Sequence, residues 1–464
     1  MKVRPICLMA RFSVGPLVGR ITDTTEAFWN SPYYFPVTLA VTAVSMLTGN
    51  VVPSTVALAL LCGWMLMFCR DILAAATPFL MVFLLSTVKY DSLAVFLPCA
   101  PLAVLPIGGL LVHFLRWRAP ITVGRSGPGL AAVTIATLLG GLGTIPAKEY
   151  FSPLSLYYTL GLGLGLLVTY VLLRSDLAAP RLYDLLQRLM QMLYTLGLAM
   201  VLAIGCFYMG HWAEFAKSWE IPPILFRNFA ATILVATLPS AFYMARRSRL
   251  HLMGVLLWAL ALFFTGSRTA LLFGSVMMLL GMLYLVRWKK LPLWIFFAVL
   301  VTAAVAVLLF GQQIYELFFG CRGDMDFIDP HESRWALLTR GLQDFLHHPV
   351  FGVGLGNQKN HDIFTGVPGS MVFYHNSLLQ ILGSMGLMGL AAYGTLLWGR
   401  VRLLLRGGEA AHLVGLFYLG MQLTSLTNPG LFCPLPSAML TVLVFAVLER
   451  YMDDPAYLPG RTIR

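Results

Sequence analysis

Three arginines and one histidine stand beside apolar segments of this sequence, where a charged side chain is costly to keep. They are Arg227 in FRNFAATIL, Arg268 after FFTGS, Arg334 before an amphipathic stretch, and His375 before SLLQILGSMGLMGL. Histidine exchanges protons near neutral pH, and guanidinium groups bind anionic groups such as phosphate. Two simpler explanations compete with these roles. A single arginine can extend toward lipid headgroups, and Asn376 or Ser377 could cap the helix that follows His375.

Arg268 fits the lipid-headgroup explanation least well. It lies in TGSRTALL, where two apolar segments are joined so tightly that the side chain has no room to extend away from the bundle. Charged residues embedded in this way usually line a water-filled cavity and serve a function. We therefore expect Arg268 to face a cavity that opens to the outside.

The composition identifies the class of protein. Of the 464 residues, 58% are hydrophobic and 11% are charged, whereas soluble domains carry about 25% charged residues. Because a membrane span needs roughly 17–25 apolar residues, we predict an all-α polytopic membrane protein with about 12–14 transmembrane helices. The candidate spans are 34–50, 52–69, 72–88, 93–115, 127–145, 154–173, 187–209, 226–244, 250–266, 268–286, 292–312, 377–398, 409–426 and 431–449.

The distribution of basic residues orients these spans. With the N-terminus in the cytoplasm and the sides alternating, 23 of the 32 lysines and arginines are cytoplasmic. The positive-inside rule favours this orientation, which makes both termini cytoplasmic. The net charge of +12 then reflects topology and anionic lipid, and no nucleic-acid partner is expected. Nine basic residues remain outside: Lys89, Lys148, Lys217, Arg227, Arg268, Arg322, Arg334, Arg340 and Lys359.

Residues 313–376 form the one long hydrophilic loop of the predicted topology, on the extracytoplasmic side. Within it, RWALLTRGLQDFLHHPV has apolar residues at helical spacing, which predicts an amphipathic helix on the outer membrane face, ended by Pro349. FGVGLGN follows. Its glycine spacing lacks the preceding strand of a nucleotide site, so a flexible loop is the favoured interpretation. Long loops of this kind are more often functional than idle.

Two glycines share a helix with the histidine. Gly386 lies eleven residues after His375, about 1100° around an α-helix and so within roughly 20° of the same face. Gly389 follows on the adjoining row. Small residues at such spacing let another helix approach closely. We therefore predict a structural role for both glycines in one continuous helix, with the imidazole above them at the outer water boundary.

The pattern His375–Asn376, nine residues, then Gly386-x-x-Gly389 resembles the H-[N/S/R]-x9-G-x-x-G signature of the O-antigen ligase superfamily. ESRWALLTRGLQDFLHHPVFGVGLGN, GSRTALL and RNFAATILVATLPSA are similar to three further stretches of that family, in the same order. The resemblance covers residues 220–400 within a single integral-membrane domain, 1–464.

This resemblance implies a membrane glycosyltransferase with a lipid-linked donor. Members take a glycan from a polyprenyl diphosphate, usually undecaprenyl diphosphate, at the outer face of the bacterial inner membrane. They pass it to an acceptor sugar hydroxyl, as ligases do, or to another lipid-linked repeat, as polymerases do. The expected partners are therefore a polyprenyl diphosphate-linked glycan, a glycan or lipid-linked acceptor, and membrane lipids.

The resemblance also implies roles for residues. The essential arginines of the family match Arg268 and Arg334, and its essential histidine matches His375. Guanidinium groups would stabilise the charge that develops on the departing diphosphate, and the histidine would be the general base of a single, inverting displacement. For an ordinary histidine the rate would fall below a pKa between about 5 and 7. The candidates for substrate binding are Arg227, Arg340 and Asn376.

No metal or other cofactor is expected, since arginines can take the part that a divalent cation plays elsewhere. The alternative is the D-x-D of Asp324 and Asp326 in CRGDMDFIDPHE, which also contains Asp329, His331 and Glu332. Short acidic clusters are common on solvated loops, and that interpretation is favoured. Cys321 and Cys433 fall on the outer side, where disulfides are permitted, but their spacing does not show that they pair.

A transporter or flippase for lipid-linked sugars would share the size, the hydrophobicity and an outward cavity. Transporters often show an internal repeat, and none relates the two halves of this chain. The polar residues also crowd one side of the predicted membrane, which a catalytic site explains better than a pathway through the bilayer. A non-catalytic assembly partner of a polysaccharide machine would need no such group of histidine and arginine residues. Catalysis is therefore the favoured function.

Overall fold

The fold is built from apolar helices. The computed structural model describes residues 16–88, 90–117, 120–177, 184–218, 227–316, 330–363, 371–428 and 435–453. Across these ranges the secondary structure is helical, without a strand. The helices are α1 (Pro16–Asn30), α2 (Tyr34–Thr48), α3 (Val52–Phe68), α4 (Leu73–Val88), α5 (Val104–Trp117), α6 (Gly127–Gly140), α7 (Pro153–Tyr158), α8 (Leu166–Leu177), α9 (Leu185–Gly210), α10 (Trp212–Ser218), α11 (Arg227–Arg247), α12 (His251–Phe264), α13 (Arg268–Arg287), α14 (Leu293–Tyr315), α15 (Pro330–His347), α16 (Ser377–Leu404), α17 (Gly408–Thr424) and α18 (Leu435–Asp453).

Helices occupy all fourteen predicted spans. In the part of the chain that the structure describes, eight helices are long and apolar enough to cross a membrane. A π-helical segment, Thr159–Gly165, joins α7 to α8, and a 3-10 helix, Tyr90–Ala103, precedes α5. The prediction of an all-α polytopic membrane protein is confirmed. Shorter apolar helices are Tyr34–Thr48, Val52–Phe68, Leu73–Ser86 and His251–Phe264, and short 3-10 turns are Gly141–Thr144, Lys148–Tyr150 and Gln358–Asp362.

α11 lies at the centre of the second half of the bundle. It packs against α9, α12, α13 and α17, and 83% of its apolar stretch is buried. Its buried alanines, including Ala230, Ala231 and Ala241, leave space for close helix approach, as small residues do between membrane helices. By contrast, none of the apolar stretch of α14 is buried. α14 therefore presents its apolar surface outward. α11 is packed against four other helices, and this packing fixes the position of its first residue, Arg227.

The turn between α12 and α13 is as tight as predicted. α12 ends at Phe264, and α13 begins at Arg268. Gly266 has φ +64°, a left-handed conformation that glycine adopts without a steric penalty. Ser267 then has the extended conformation of an N-cap residue. The turn fixes Arg268 at the first helical position of α13.

α16 is not the continuous helix that the sequence predicted. Gly386 has φ +61° and ψ −151°, which interrupts the helix one third of the way along it. A Cβ atom at this position would lie 2.5 Å from the backbone of Val350 and 2.6 Å from the carbonyl oxygen of Pro349. The calculation that placed Gly386 on the face below His375 therefore fails. Its structural role is to break the helix where another segment of backbone enters.

The entering segment is PVFGVG, residues 349–354. In an unbroken helix the amides of Leu387 and Met388 would bond to the carbonyls of Gly383 and Ser384. Instead, those two amides donate to the carbonyls of Pro349 and Val350, over 2.8 and 3.2 Å. The Gly383 and Ser384 carbonyls in turn accept from the amides of residues 353 and 354, over 2.8 and 3.0 Å. The interpretation of FGVGLGN as a flexible loop was wrong, because this backbone completes the hydrogen bonding of α16.

A buried carboxylate on α18 joins three helices of the bundle. Glu449 of α18 is 1% exposed. It accepts hydrogen bonds from the amides of Arg125 and Ser126 and from the hydroxyl of Tyr170, over 2.9, 2.8 and 2.6 Å. Because Ser126 precedes α6 and Tyr170 lies in α8, this one side chain ties three helices together.

Candidate active site

Four helix ends meet at one end of the bundle. α11, α13 and α16 begin there, and α17 ends there. Ser267 Oγ donates to Asn228 Oδ1 over 3.3 Å, and the hydroxyl oxygens of Thr269 and Thr427 lie 2.8 Å apart. These bonds fix the starts of α11 and α13 against each other and against the segment that follows α17.

Two predicted site arginines stand at these neighbouring helix starts. Arg227 directly precedes Asn228, and Arg268 lies between Ser267 and Thr269. Both arginines are half-buried. Helix N-termini carry a partial positive charge and favour bound anions. The arrangement therefore concentrates positive potential at this end of the bundle, where it favours a bound anion.

His375 reaches the same place from the start of α16. Its Nδ1 lies 3.2 Å from Oδ1 of Asn428, next to the Thr427 that contacts α13. An amide oxygen can only accept, so Nδ1 carries the proton and donates it to Asn428, and Nε2 keeps its lone pair. His375 has φ +54°, a conformation that non-glycine residues adopt rarely and that clusters at functional sites.

The surroundings of His375 keep the imidazole neutral. Burial, and then the positive charge of Arg334, lower the pKa of His375 to about 4, against the opposing effect of the hydrogen bond to Asn428. The range between about 5 and 7 expected for an ordinary histidine is therefore wrong for the protein without substrate. A histidine that stays neutral is in the form that accepts a proton from a hydroxyl.

The same electrostatic effect places Arg334 at the site. Arg334 is half-buried near the start of α15, the predicted amphipathic helix, which ends at His347. Its neighbour Trp335 is 72% exposed, and Leu342 and Leu346 on the same helix face are also exposed. An apolar stripe therefore runs along α15 away from Arg334.

A buried carboxylate supports the backbone in front of His375. Asp344 of α15 accepts hydrogen bonds from the hydroxyls of Tyr150 and Tyr374, each over 2.6 Å. Burial, followed by the charge of Asp344, raises the pKa of Tyr374 well above its ordinary value, so its hydroxyl keeps the proton that it donates. The Tyr374 amide donates to Gln380 Oε1 over 3.0 Å. Tyr374 is thus held from both ends, and it fixes the residue that follows it.

Two residues predicted to bind substrate have other partners. Asn376 caps α16: its Oδ1 accepts from the Leu379 amide over 3.1 Å, and its Nδ2 donates to the Leu426 carbonyl over 3.1 Å. Arg340 Nη2 donates to Asp362 Oδ2 over 3.3 Å, and the two side chains form an ion pair. In this structure Asn376 caps the helix and holds the 425–428 segment, and Arg340 holds the loop, while their binding of substrate stays a prediction.

Sequence reasoning missed Asn428 and Asp344. Asn428 lies just after the end of α17, in SLTN, and only the return of α17 to the start of α16 brings it to His375. Asp344 is one of several acids of the 313–376 loop, and nothing in the sequence assigns it a partner. The one available signal was its position in α15, opposite the exposed face that contains Trp335.

Several residues of the alternative interpretations lie outside the described ranges. These are Asp324, Asp326, Asp329, Cys321 and Cys433, together with the side chains of His331 and Glu332. Among the residues that the structure does describe, no group of three or more histidine, cysteine, aspartate or glutamate side chains is placed to hold a metal ion.

Part of the chain matches a known protein family. Residues 253–394 match a family described as O-Antigen ligase. The matched range contains Arg268, Arg334, His375, Gly386 and Gly389 and falls within the 220–400 of the sequence resemblance. No curated protein matches the chain.

Proposed function

Because residues 253–394 place this chain in the O-antigen ligase superfamily, whose members are membrane ligases and polymerases of glycans, we propose that it transfers a glycan from a polyprenyl diphosphate carrier. The acceptor is the hydroxyl of a second sugar. One observation carries the proposal: a neutral histidine, with Nε2 able to accept a proton, stands where two helix starts bring arginines together.

In the proposed reaction the arginines bind the donor diphosphate. Arg268 at the start of α13 and Arg334, whose charge reaches His375, can each offer a planar pair of donors to phosphate oxygens. As the bond from the sugar C1 to the diphosphate oxygen breaks, its electron pair goes to the diphosphate. The arginines stabilise this developing negative charge, and Arg227 at the start of α11 adds to the positive potential.

His375 completes the displacement. The acceptor hydroxyl attacks C1 of the sugar and gives its proton to Nε2, while Nδ1 stays bonded to Asn428. One bond forms on the face opposite the leaving group, so the anomeric centre inverts. The exposed apolar stripe of α15 beside Arg334 is suited to the polyprenyl chain, since its leucines and tryptophan offer apolar contact.

The proposal includes an orientation of the protein in the membrane. We place the site at the extracytoplasmic face of a bacterial inner membrane, with both termini in the cytoplasm, because 23 of the 32 basic residues fall at the other side. A transporter would need polar groups along a path through the bilayer. The groups described above instead gather at one end of the bundle.

Labelling of Lys359→Cys tests this orientation. The side chain of Lys359 is 40% exposed and forms one ion pair with Glu149, so the substitution removes a surface contact of little energetic weight. With Cys321 and Cys433 replaced by serine in every variant, we expect a membrane-impermeant thiol reagent to label this cysteine in intact spheroplasts. The control is Arg249→Cys at the opposite end, which should react only after the membrane is opened. The reverse pattern would overturn the orientation.

Transfer by the purified protein tests the function. With a polyprenyl diphosphate-linked glycan and no nucleotide, we expect transfer to an acceptor sugar hydroxyl, and we expect EDTA to leave the rate unchanged. Supplying a lipid A-core sugar or a second lipid-linked glycan distinguishes a ligase from a polymerase. A rate that EDTA abolishes and magnesium or manganese restores would assign the Asp324–Asp326 pair a catalytic part. No transfer to either acceptor, together with movement of the donor across vesicles, would favour a flippase.

A further inference from the structure

A groove lies at the end of the bundle opposite the His375 site, between the end of α13 and the turn that joins α16 to α17. Its volume is about 920 Å³. Its inner wall is formed by Leu280 and Leu283 of α13 and by Leu416 and Leu419 of α17. Its mouth is formed by polar and aromatic groups: Arg287, Trp288, Glu409 and His412. The groove thus combines an apolar channel along the spans with a polar opening where the spans end.

Among the described residues that line this groove, the one acidic side chain, Glu409, is already neutralised. Glu409 forms a close ion pair with Arg246 and accepts a hydrogen bond from the Tyr284 hydroxyl over 2.9 Å. The Arg246 guanidinium lies 4.2 Å from the ring centre of Trp288, which holds it on the inner side of the mouth. Glu409 is therefore a structural partner of Arg246 and adds little repulsion toward an anion.

Basic residues surround the mouth. Arg287 lines it, and Arg406 lies in the turn between Leu405 and Gly407, two more of its lining residues. Within the described part of the chain, neither arginine has an ion-pair partner, and both are exposed. Three further exposed cations follow α13 or end α16: Lys289, Lys290 and Arg402. The opening therefore carries a clear excess of positive charge.

We propose that this groove binds one anionic glycerophospholipid. Arg287 and Arg406 hold its phosphate-containing headgroup, and an acyl chain lies along the four leucines of the inner wall. The charge of the mouth selects an anionic over a zwitterionic headgroup, because basic residues next to membrane spans attract anionic lipid. Because the wall of the groove is apolar, it favours a lipid over a soluble anion as the ligand. The proposal does not depend on the glycosyltransferase function.

Counting bound lipids by native mass spectrometry tests the headgroup. We expect the delipidated wild-type protein to retain one phosphatidylglycerol in preference to phosphatidylcholine. Arg287→Gln with Arg406→Gln should weaken phosphatidylglycerol binding by roughly 25-fold, at about fivefold for each arginine near the headgroup. Arg249→Gln is the matched control, because Arg249 is also exposed and basic but lies outside the groove. An equal loss in the control, or equal binding of phosphatidylcholine, would overturn the proposal.

Filling the groove tests the acyl chain. A Cβ atom at Gly415 would have its nearest neighbour, Leu404 Cδ2, 3.8 Å away, so a side chain can enter the groove from this position without a clash at the backbone. Gly415→Phe should abolish retention of phosphatidylglycerol. Gly394→Phe, at a glycine of α16 with open space around it, should leave retention unchanged. Unchanged retention in Gly415→Phe would exclude this groove. Displacement of phosphatidylglycerol by undecaprenyl diphosphate at equal concentration would identify the carrier as the occupant instead.

Discussion

His375→Ala is expected to reduce glycan transfer by about 10²–10⁴-fold, the usual contribution of a general base, while donor binding stays near the wild-type level. The reason is geometric. Nδ1 is committed to Asn428, so Nε2 is the atom left to accept the acceptor's proton, and the substitution removes it without touching Arg268 or Arg334. Transfer rate and binding of the lipid-linked donor should be measured in one nanodisc preparation. If a folded His375→Ala protein transferred glycan at the wild-type rate, His375 would be a packing residue and not the general base.

The pH profile gives this prediction a second readout. His375 must be neutral to act as a base, and burial together with Arg334 lowers its pKa to about 4. The value of kcat/KM should therefore stay constant as the pH falls through 6, and it should decline only as the pH approaches about 4. Bound diphosphate neutralises Arg334, so the acid limb of kcat should lie at higher pH than that of kcat/KM. An acid limb of kcat/KM near 6.5 would mean that His375 is solvated, contrary to the structure.

Arg268→Lys and Arg334→Lys are each expected to lower transfer by about a hundred- to a thousandfold, equivalent to ~2.7–4 kcal/mol of transition-state stabilisation. Lysine keeps the charge but replaces a planar pair of donors with a single point of charge. The expected loss lies in kcat as well as in donor affinity, because the charge on the diphosphate grows as the glycosidic bond breaks. Steady-state transfer rates over a range of donor concentrations separate the two effects.

Arg340→Lys is the matched control for these substitutions. Arg340 lies on the same helix as Arg334, but it pairs with Asp362, and lysine can keep that ion pair. We expect its transfer rate to stay close to that of the wild type. If Arg340→Lys were as damaging as Arg334→Lys, Arg340 would bind substrate in addition to its ion pair with Asp362. If both Arg268→Lys and Arg334→Lys were fully active, the diphosphate would be held elsewhere.

The helices could be predicted from the sequence because the bilayer imposes their length and composition. Spans such as 268–286 and 377–398 are apolar runs flanked by polar residues, and helices occupy both. The tight turn at Ser267 followed from the same reasoning, since too few residues separate the two runs. The amphipathic α15 was visible as a 3.6-residue period. These are local properties, and local patterns report them.

The support of the site depends on contacts that no local pattern reports. Asn428 meets His375 across 53 positions, and Tyr150 meets Asp344 across 194. Asn376 shows a different difficulty, because an asparagine beside a histidine suits both substrate binding and capping, and only the structure shows the two backbone partners of the cap. The break at Gly386 was missed for a related reason: helical spacing presumes a continuous helix, and the segment that interrupts it comes from the loop.

The interrupted α16 has a consequence for how this protein is made. Until residues 349–354 are in place, the carbonyls of Gly383 and Ser384 and the amides of Leu387 and Met388 can be satisfied only by each other, in an unbroken α16. Unsatisfied backbone groups cost several kcal/mol each in a hydrocarbon environment. The break at Gly386 can therefore form only together with the hydrogen bonds to residues 349–354. We expect α16 to enter the membrane as a continuous helix and to open at Gly386 in the step that docks this segment.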